Sequence, residues 1–196
     1  MSSRPSSSHV PDAPADEVCR GLDLQDPARA LLAPGMTARD YAQTLAKEGL
    51  AAEATDVLAR WLPPREGVFW ACLCIRSASG GEVPPDSKPA LLAAERWAAD
   101  PTEANRRAAE KAAEEASYST PAAVAALGAF LSGGNLAPEA SGAKVKPGPE
   151  MTPKAVSGAV RLVAVVREPE KAPERYVEFA GLGLEVAAGR RRPGAA

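Results

Sequence analysis

Residues whose side chains could do chemistry are few in this chain, and their placement is poor for catalysis. The only histidine is His9, which lies in a Ser- and Pro-rich N-terminal stretch, 1–14. Histidine is the commonest general acid or base, and it activates many serine and cysteine nucleophiles. It also ligates many zinc ions. We therefore expect no catalytic residue, no metal site and no cofactor, so the sequence does not predict an enzyme.

Cys72 and Cys74 form a Cys-x-Cys pair, a pattern that elsewhere binds metal ions or cycles between thiol and disulfide. They lie in an apolar stretch of helical length, 65–77, and residues two apart on a helix point about 200° away from each other. They cannot bind one metal ion or close a disulfide there without unwinding the helix. We expect both thiols to pack as small apolar side chains, and Cys19 has no identifiable activating group.

A charged stretch between 103 and 118 places carboxylates at helical spacing from basic side chains. The residues three or four apart are Glu110, Glu114, Glu115, Arg106, Arg107 and Lys111. Such pairs typically form a solvated helix face and contribute a few tenths of a kcal/mol each. A carboxylate metal site in a helical bundle would need support from a second helix bearing Glu-x-x-His, which the chain lacks. We expect an exposed surface here.

Aromatic residues make up only 5% of the chain, and two interpretations stay open for its tryptophans. In the first, Trp61, Trp70 and Trp97 build the core. In the second, Trp61 and Trp97 are partly exposed beside proline-rich loops, where aromatic side chains often dominate protein interfaces. The second interpretation makes Trp61 and Trp97 candidate protein-binding residues.

A loop rich in Pro, Gly and Ala spans 135–150 and is the second candidate surface. Loops of this length without secondary structure are uncommon inside a domain, and they are generally functional or mobile. Asn135, Leu136 and Pro138 at the start of this loop are therefore candidate contacts to a partner protein.

Composition and charge narrow the classes of partner. The chain is 45% hydrophobic and 24% charged, with a formal net charge of −2, as in ordinary soluble proteins. Because nucleic-acid binding needs clustered Lys and Arg, we expect no nucleic-acid partner and a solvated basic tail at 190–196. No apolar run approaches the roughly 20 residues of a membrane span, and no secretory signal is evident. We expect a cytoplasmic protein without membrane contact.

Prolines mark the starts of the elements that must position these residues. Seven of them precede Ala- and Leu-rich stretches with helical spacing, namely Pro27, Pro64, Pro85, Pro101, Pro121, Pro153 and Pro173. Proline suits the first helical turn because the N–H it lacks would be unpaired there. A capping side chain directly precedes proline at Asp100, Thr120 and Thr152, so these boundaries are predicted most firmly.

These starts predict an all-α protein with a single compact helical domain of about eight to ten short helices. The domain is expected to span 15–189, between a disordered tail at 1–14 and the basic C-terminal tail. Segment 162–166 is rich in valine, so a strand stays open there, although the helical spacing favours a helix. Stacked helical hairpins of the tetratricopeptide or HEAT type remain an alternative, without their consensus residues.

Several local strings, taken in order, resemble a known family. The strings are Ala30-Leu31-Leu32 with Gly35-Met36-Thr37, Pro64-Arg65-Glu66 before Trp70-Ala71-Cys72-Leu73-Cys74, the run 100–109, and the run 132–138. From about 28 to 190 the chain resembles a bacterial family of uncharacterised small proteins, a domain of unknown function often encoded near type VI secretion genes. The resemblance implies a secretion-associated accessory or adaptor role and offers no site residue.

The predicted function is therefore non-catalytic binding of another protein, in a bacterial contractile secretion apparatus. Two alternatives stay open. One is a small-ligand binder or enzyme with a pocket between helices, for which Arg76, Glu95 and Arg96 supply polar groups. The other is a purely structural helical-repeat scaffold.

Overall fold

A computed structural model describes residues 9–80 and 82–194, and within them the chain is helical. The helices are α1 (Ala15–Val18), α2 (Asp26–Ala30), α3 (Ala38–Lys47), α4 (Ala51–Trp61), α5 (Pro64–Ala78), α6 (Lys88–Ala99), α7 (Glu103–Glu115), α8 (Pro121–Phe130), α9 (Met151–Val165) and α10 (Ala172–Ala187). Two single-turn 3₁₀ helices span Glu139–Ser141 and Pro169–Lys171. No strand occurs in the described residues, which confirms the all-α prediction.

Helix α5 lies at the centre and contacts α6, α8, α9 and α10. Its sequence is apolar on most sides, and Trp70 and Cys74 on it are fully buried. The indole N–H of Trp70 donates to the carbonyl of Phe179 at 2.8 Å, which joins α5 to α10. A buried indole needs such a partner, because an unpaired buried donor is costly.

Contacts between helices far apart in sequence close the bundle. Helix α10 packs against α4 and also touches α3, while α9 packs against α8, α5 and α4. In a helical-repeat array each unit contacts only its sequence neighbours. The contacts are therefore those of a closed bundle and not of stacked hairpins.

Of the three helix boundaries predicted most firmly, that of α8 holds and those of α7 and α9 do not. The Thr120 hydroxyl accepts the N–H of Ala123 at 3.1 Å and caps α8, as expected. Helix α7 differs, because Thr102 is its cap and accepts the N–H of Asn105 at 3.3 Å. The prediction of Asp100 as the cap is wrong, since the Asn105 side chain instead binds the Asp100 carbonyl at 2.7 Å.

Helix α9, by contrast, begins one residue before its predicted cap, Thr152. It starts at Met151, and the hydroxyl of Thr152 donates to the carbonyl of Gly128 at 3.2 Å instead of capping. That bond ties α9 to α8. The helix continues through Val165, which confirms the helical interpretation of 162–166 over the strand.

The expected disorder of segment 1–14 is wrong for residues 10–14, whereas 1–8 lie outside the described residues. Val10 is buried, and its N–H donates to the carbonyl of Ala187 at 2.9 Å. Pro14 and Thr37 form an isolated antiparallel bridge. The polar composition of this segment did not reveal that Val10 is buried or that its main chain bonds to the bundle. These contacts hold the segment on the bundle.

At the other end, the basic residues 190–192 are exposed. Arg191 pairs with Glu185 at 2.5 Å, and the N–H of Arg190 donates to the Glu185 carbonyl at 2.9 Å. Residues 195 and 196 of the predicted basic tail lie outside the described part. Among the helices that the structure describes, none has the length and apolarity needed to cross a membrane.

Candidate functional site

Trp61 is buried, so the prediction that it is an exposed contact to a partner protein is wrong. Only 7% of the residue is exposed, and its indole N–H donates to the Pro11 carbonyl at 3.0 Å. The guanidinium of Arg39 lies over the ring, 5.1 Å from its centroid, and pairs with Asp12 at 3.1 Å. The N-terminal segment, expected to be disordered, is what covers this tryptophan.

Trp97 is likewise buried, with 4% of the residue exposed. It belongs to the same hydrophobic core as Trp70 on α5. Neither Trp61 nor Trp97 therefore presents a ring to a partner, and the core interpretation applies to all three tryptophans.

The predicted loop residues, by contrast, lie together at the surface and give the loop its shape. The side-chain carbonyl of Asn135 accepts the N–H groups of Ala137 at 3.3 Å and Val145 at 2.7 Å. Its amide donates to the Ala143 carbonyl at 2.8 Å. The N–H of Leu136 adds a main-chain bond to Val145 at 2.7 Å. Asn135 thus joins the two arms of the loop.

Pro138 directly precedes the 3₁₀ turn of the loop and is exposed. Its carbonyl accepts both the hydroxyl of Ser141 at 2.7 Å and the N–H of Ser141 at 3.0 Å. These bonds close the single 3₁₀ turn Glu139–Ser141. The loop that was predicted to lack structure therefore has a defined internal fold.

Two arginines of α7 bind the loop to the bundle. Arg107 donates to the carbonyls of Asn135 at 2.6 Å and Ala137 at 3.0 Å. Arg106, which is 4% exposed, donates to the carbonyls of Asn135 at 3.0 Å and Phe130 at 2.7 Å. Both guanidinium carbons lie over the Phe130 ring, at 4.8 and 5.4 Å from its centroid. We call this pair of residues the arginine clamp.

Carboxylates on the same helix orient the arginine clamp. Glu103 accepts two hydrogen bonds from Arg106, each of 2.7 Å, and one from Arg107 at 3.2 Å. Glu110 accepts from Arg107 at 2.8 Å. The hydrogen bonds from Arg106, followed by its charge, hold the pKa of Glu103 below its ordinary value.

Sequence reasoning missed the arginine clamp. The spacing of charges along α7 predicted a solvated face, and for Lys111 and Glu115 that holds, since both are exposed. Arg106 is buried because α8 and the loop, 24 to 29 residues further along the chain, supply carbonyls to it. A signal within α7 alone does not reveal those partners.

Beside the clamped loop lies a groove of about 680 Å³. It is lined by Pro64, by residues 131–135 and 144–149, and by Thr152, and we call it the loop groove. Val145 is 49% exposed, a large fraction for an apolar side chain. Lys144 and Lys146 on either side of it are also exposed and are the charged residues among the lining. The loop groove thus combines an apolar surface with a positive rim.

A second cavity, of about 370 Å³, lies where α5, α8 and α9 end or begin. Its polar lining includes Ser79, Asp86, Ser119, Thr120, Arg167 and Arg175. The guanidinium of Arg175 donates to the carbonyls of Ala164, at 2.9 Å, and of Arg167 at the end of α9. Arg175 thereby satisfies the last carbonyls of that helix. We call this the bundle-end cavity.

The polar residues predicted for a pocket do not converge on the bundle-end cavity. Arg76 and Glu95 form a bidentate ion pair, with distances of 2.5 and 2.7 Å, between α5 and α6. Arg96 directly follows Glu95 on α6 and is exposed. Arg76 and Glu95 thus form a surface contact between two helices.

The thiols are buried and poorly suited to ionisation. Burial raises the pKa of Cys72 and Cys74 well above the ordinary thiol value, and it raises the pKa of Cys19 to about 11. All three are free. Among the residues described, no cluster of His, Cys, Asp and Glu could hold a metal ion.

Comparison with known proteins places the chain in a family. No curated protein and no solved structure matches it. Residues 41–187, well over half of the chain, match the model described as Family of unknown function (DUF6931). The expected resemblance to an uncharacterised family is confirmed over this range, and we conclude that the chain belongs to the DUF6931 family.

Proposed function

We propose that this protein is a non-catalytic binding protein that docks a segment of another protein in the loop groove. The observation that carries the proposal is Val145, an apolar residue 49% exposed within a groove of about 680 Å³. Interfaces characteristically join an apolar centre to a polar rim, and Lys144 and Lys146 supply such a rim.

The internal order of the loop supports docking. Binding costs free energy when flexible side chains and loops must be ordered. Here Asn135 joins both arms of the loop, and Arg106 and Arg107 hold it on α7. A partner meets a preformed surface, so less of its contact energy is lost in ordering the loop.

The openness of the surface favours a protein over a small molecule as its occupant. Small-molecule sites bury most of their ligand inside a concave pocket. Lys144, Val145, Lys146 and Pro149 in the lining are all exposed, so a compact ligand would stay largely in solvent. An extended segment of another protein can cover the loop groove along its length.

The family resemblance extends the proposal to a setting. Members of the resembled family are often encoded near type VI secretion genes, so we propose a component of a contractile secretion system as the partner. The proposal places the protein in the cytoplasm, and its three free cysteines suit a reducing compartment.

Affinity purification from the native host tests both parts. The bait is the full chain, and the variants are Val145→Asp in the loop groove and Val177→Asp, a matched change at a similarly exposed valine on α10. We expect a secretion-apparatus component with the wild type and with Val177→Asp, but not with Val145→Asp. Recovery of no secretion component overturns the assignment to secretion. A partner that is retained by Val145→Asp overturns docking at the loop groove.

The bundle-end cavity supports a second candidate function, binding of a small polar ligand. Its volume of about 370 Å³ suits a small molecule, and hydroxyls and Asp86 line it. Thermal unfolding with a metabolite panel tests this, because a ligand that binds only the folded state raises Tm. A compound that stabilises the wild type but not Ser119→Phe supports it, and no stabilising compound counts against it.

A further inference from the structure

We infer that the occupant of the loop groove is an acidic, extended peptide segment that carries an apolar side chain between carboxylates. This inference rests on the proposed function, since it names the partner chemistry of the same surface. Three observations carry it: the charge of the rim, the direction of the main chain, and the apolar lining.

The positive charge is local to one arm of the loop. Lys144 and Lys146 are exposed in a chain whose formal net charge is −2. The carboxylates of Glu103 and Glu110 on α7 are bound by the arginine clamp. Glu150 lies beside Gly148, since an added Cβ there would be 2.8 Å from its carboxylate, at the end where the loop returns to α9. Acidic side chains are therefore favoured next to 144–146.

The main chain of the same arm has the pattern of an extended strand. The carbonyls of Ala143 and Val145 both accept hydrogen bonds from the Asn135–Leu136 arm. Alternate residues that point the same way are characteristic of extended chain. The main-chain groups of Lys144 and Lys146 consequently face away from that arm. A peptide can pair with them as an added strand, and Pro147 limits the pairing because it lacks an N–H.

The apolar lining of the loop groove indicates which peptide side chain lies between the two peptide carboxylates. Pro64, Leu131 and Val145 offer apolar surface, and the Gly133–Gly134 wall carries no side chain between them. Glycine lets another backbone approach closely. One Leu, Ile or Phe of the peptide would occupy this surface, with Asp or Glu on either side meeting the lysines.

Peptide display followed by a binding measurement tests the inference on the full chain. A library of random 12-residue peptides is selected on the wild type, and the enriched peptides are labelled for fluorescence anisotropy. We expect enrichment of acidic peptides with an apolar residue, and affinity that falls with added salt because the exposed charges are screened.

Charge reversal provides the direct test. The double variant Lys144→Glu with Lys146→Glu is expected to weaken the selected acidic peptides by about tenfold or more, since every 1.4 kcal/mol is tenfold. The matched control reverses two exposed lysines outside the loop, on α6 and α7, Lys88→Glu with Lys111→Glu, and should change affinity less than about twofold. An equal loss in both double variants overturns the inference.

The outcomes separate the two levels of the proposal. Selected peptides that need Val145 but are neutral or basic overturn the acidic-peptide inference and leave docking at the loop groove intact. No enriched peptide, or peptides whose binding survives Val145→Asp, overturns the proposed docking itself. A single-stranded RNA of 20 nucleotides that binds as tightly, with the same lysine dependence, assigns the surface to nucleic acid and overturns the inference.

Discussion

At the scale of single residues, the position of the loop groove depends on one main-chain carbonyl that accepts hydrogen bonds from two arginines. The Asn135 carbonyl accepts from Arg107 at 2.6 Å and from Arg106 at 3.0 Å. A buried guanidinium is costly unless its donors are paired, and here each nitrogen of Arg106 donates to the Phe130 carbonyl or the Glu103 carboxylate. The same bonds that make Arg106 tolerable in the interior hold the loop in position.

Gly134 is the residue that lets the chain pass over Arg106, and its replacement gives the sharpest stability prediction. Its φ is +69°, and an added Cβ would lie 2.8 Å from the Arg106 guanidinium. We expect Gly134→Ala to cost at least about 1–2 kcal/mol, the penalty of a left-handed backbone for alanine. Urea unfolding measures the loss.

Its neighbour provides a matched control. Gly133 has no heavy atom within 4 Å of an added Cβ, and its φ is not in the left-handed region. Gly133→Ala should therefore change stability by less than about 0.5 kcal/mol. Equal effects of the two substitutions would contradict the close approach to Arg106.

The lowered pKa of Glu103 predicts how the stability of the fold depends on pH. Its pKa is lowered in the folded protein, chiefly by hydrogen bonds from Arg106. A carboxyl with a depressed folded pKa contributes stability that is complete above its unfolded pKa, about 4.3, and is lost as the pH falls through the folded value. Between about pH 5 and about pH 3, we expect the free energy of unfolding to fall more for the wild type than for Glu103→Gln.

Unfolding in urea at several pH values measures this difference. The control is Glu114→Gln, an exposed carboxylate on the same helix, which should leave the acid dependence close to that of the wild type. If Glu103→Gln loses stability in acid as steeply as the wild type, the ion pair with Arg106 does not stabilise the fold.

At the scale of helices, the sequence predicts the existence of elements better than their ends. Proline and the apolar period predict α5 and α8 almost to the residue. The start of α7 is predicted wrongly because Asp100 and Thr102 are both good caps. The N–H of Asn105 donates to the Thr102 hydroxyl, and its side chain donates to the Asp100 carbonyl. Local capping rules describe single sites, so competition between two adjacent caps needs the three-dimensional contacts.

The candidate site likewise contains features that the sequence predicts and features that depend on three-dimensional contacts. Asn135, Leu136 and Pro138 could be predicted because a long Pro- and Gly-rich stretch is itself a local signal. The burial of Trp61 could not, because its indole is bound by the Pro11 carbonyl, in a segment that composition alone marks as disordered. The arginine clamp was missed for the same reason, since its partners are distant in sequence.

Helix α10 contains two glycines in different surroundings. Replacement by alanine is predicted to change stability in opposite directions at the two positions. An added Cβ at Gly183 would be 2.9 Å from Cδ1 of Leu58 and 3.1 Å from the Trp70 ring. Gly183→Ala should overpack the contact of α10 with α4 and α5 and cost about 1–3 kcal/mol.

Gly181, two residues earlier and on the opposite side of α10, is exposed, with no heavy atom within 4 Å of an added Cβ. Gly181→Ala should stabilise the helix by roughly 0.5–1 kcal/mol, because alanine loses less conformational entropy than glycine. Thermal and urea unfolding of the two variants measure both signs. If Gly183→Ala is as stable as Gly181→Ala, the close packing of α10 is incorrect.

At the scale of the whole molecule, the fold extends beyond the range that the family match covers. The match begins at Tyr41, within α3, yet the Tyr41 hydroxyl donates to the Ala28 carbonyl at 2.6 Å. Val10 and Pro11 lie against α10 and α4. The residues before 41 therefore complete the core of this chain and are part of its stability.

Removal of residues 1–14 tests this whole-molecule role. The truncated chain loses the burial of Val10, worth about 1.5 kcal/mol or more, together with the Pro11 carbonyl that binds Trp61. We expect a lower urea midpoint and much faster hydrogen exchange at the Trp61 indole N–H, followed by NMR. The Trp70 indole N–H, bound to Phe179 in the same molecule, is the internal control and should stay protected. Unchanged protection at Trp61 would show that the N-terminal segment does not cover it, whereas fast exchange at both indoles would mean that the segment holds the entire bundle together.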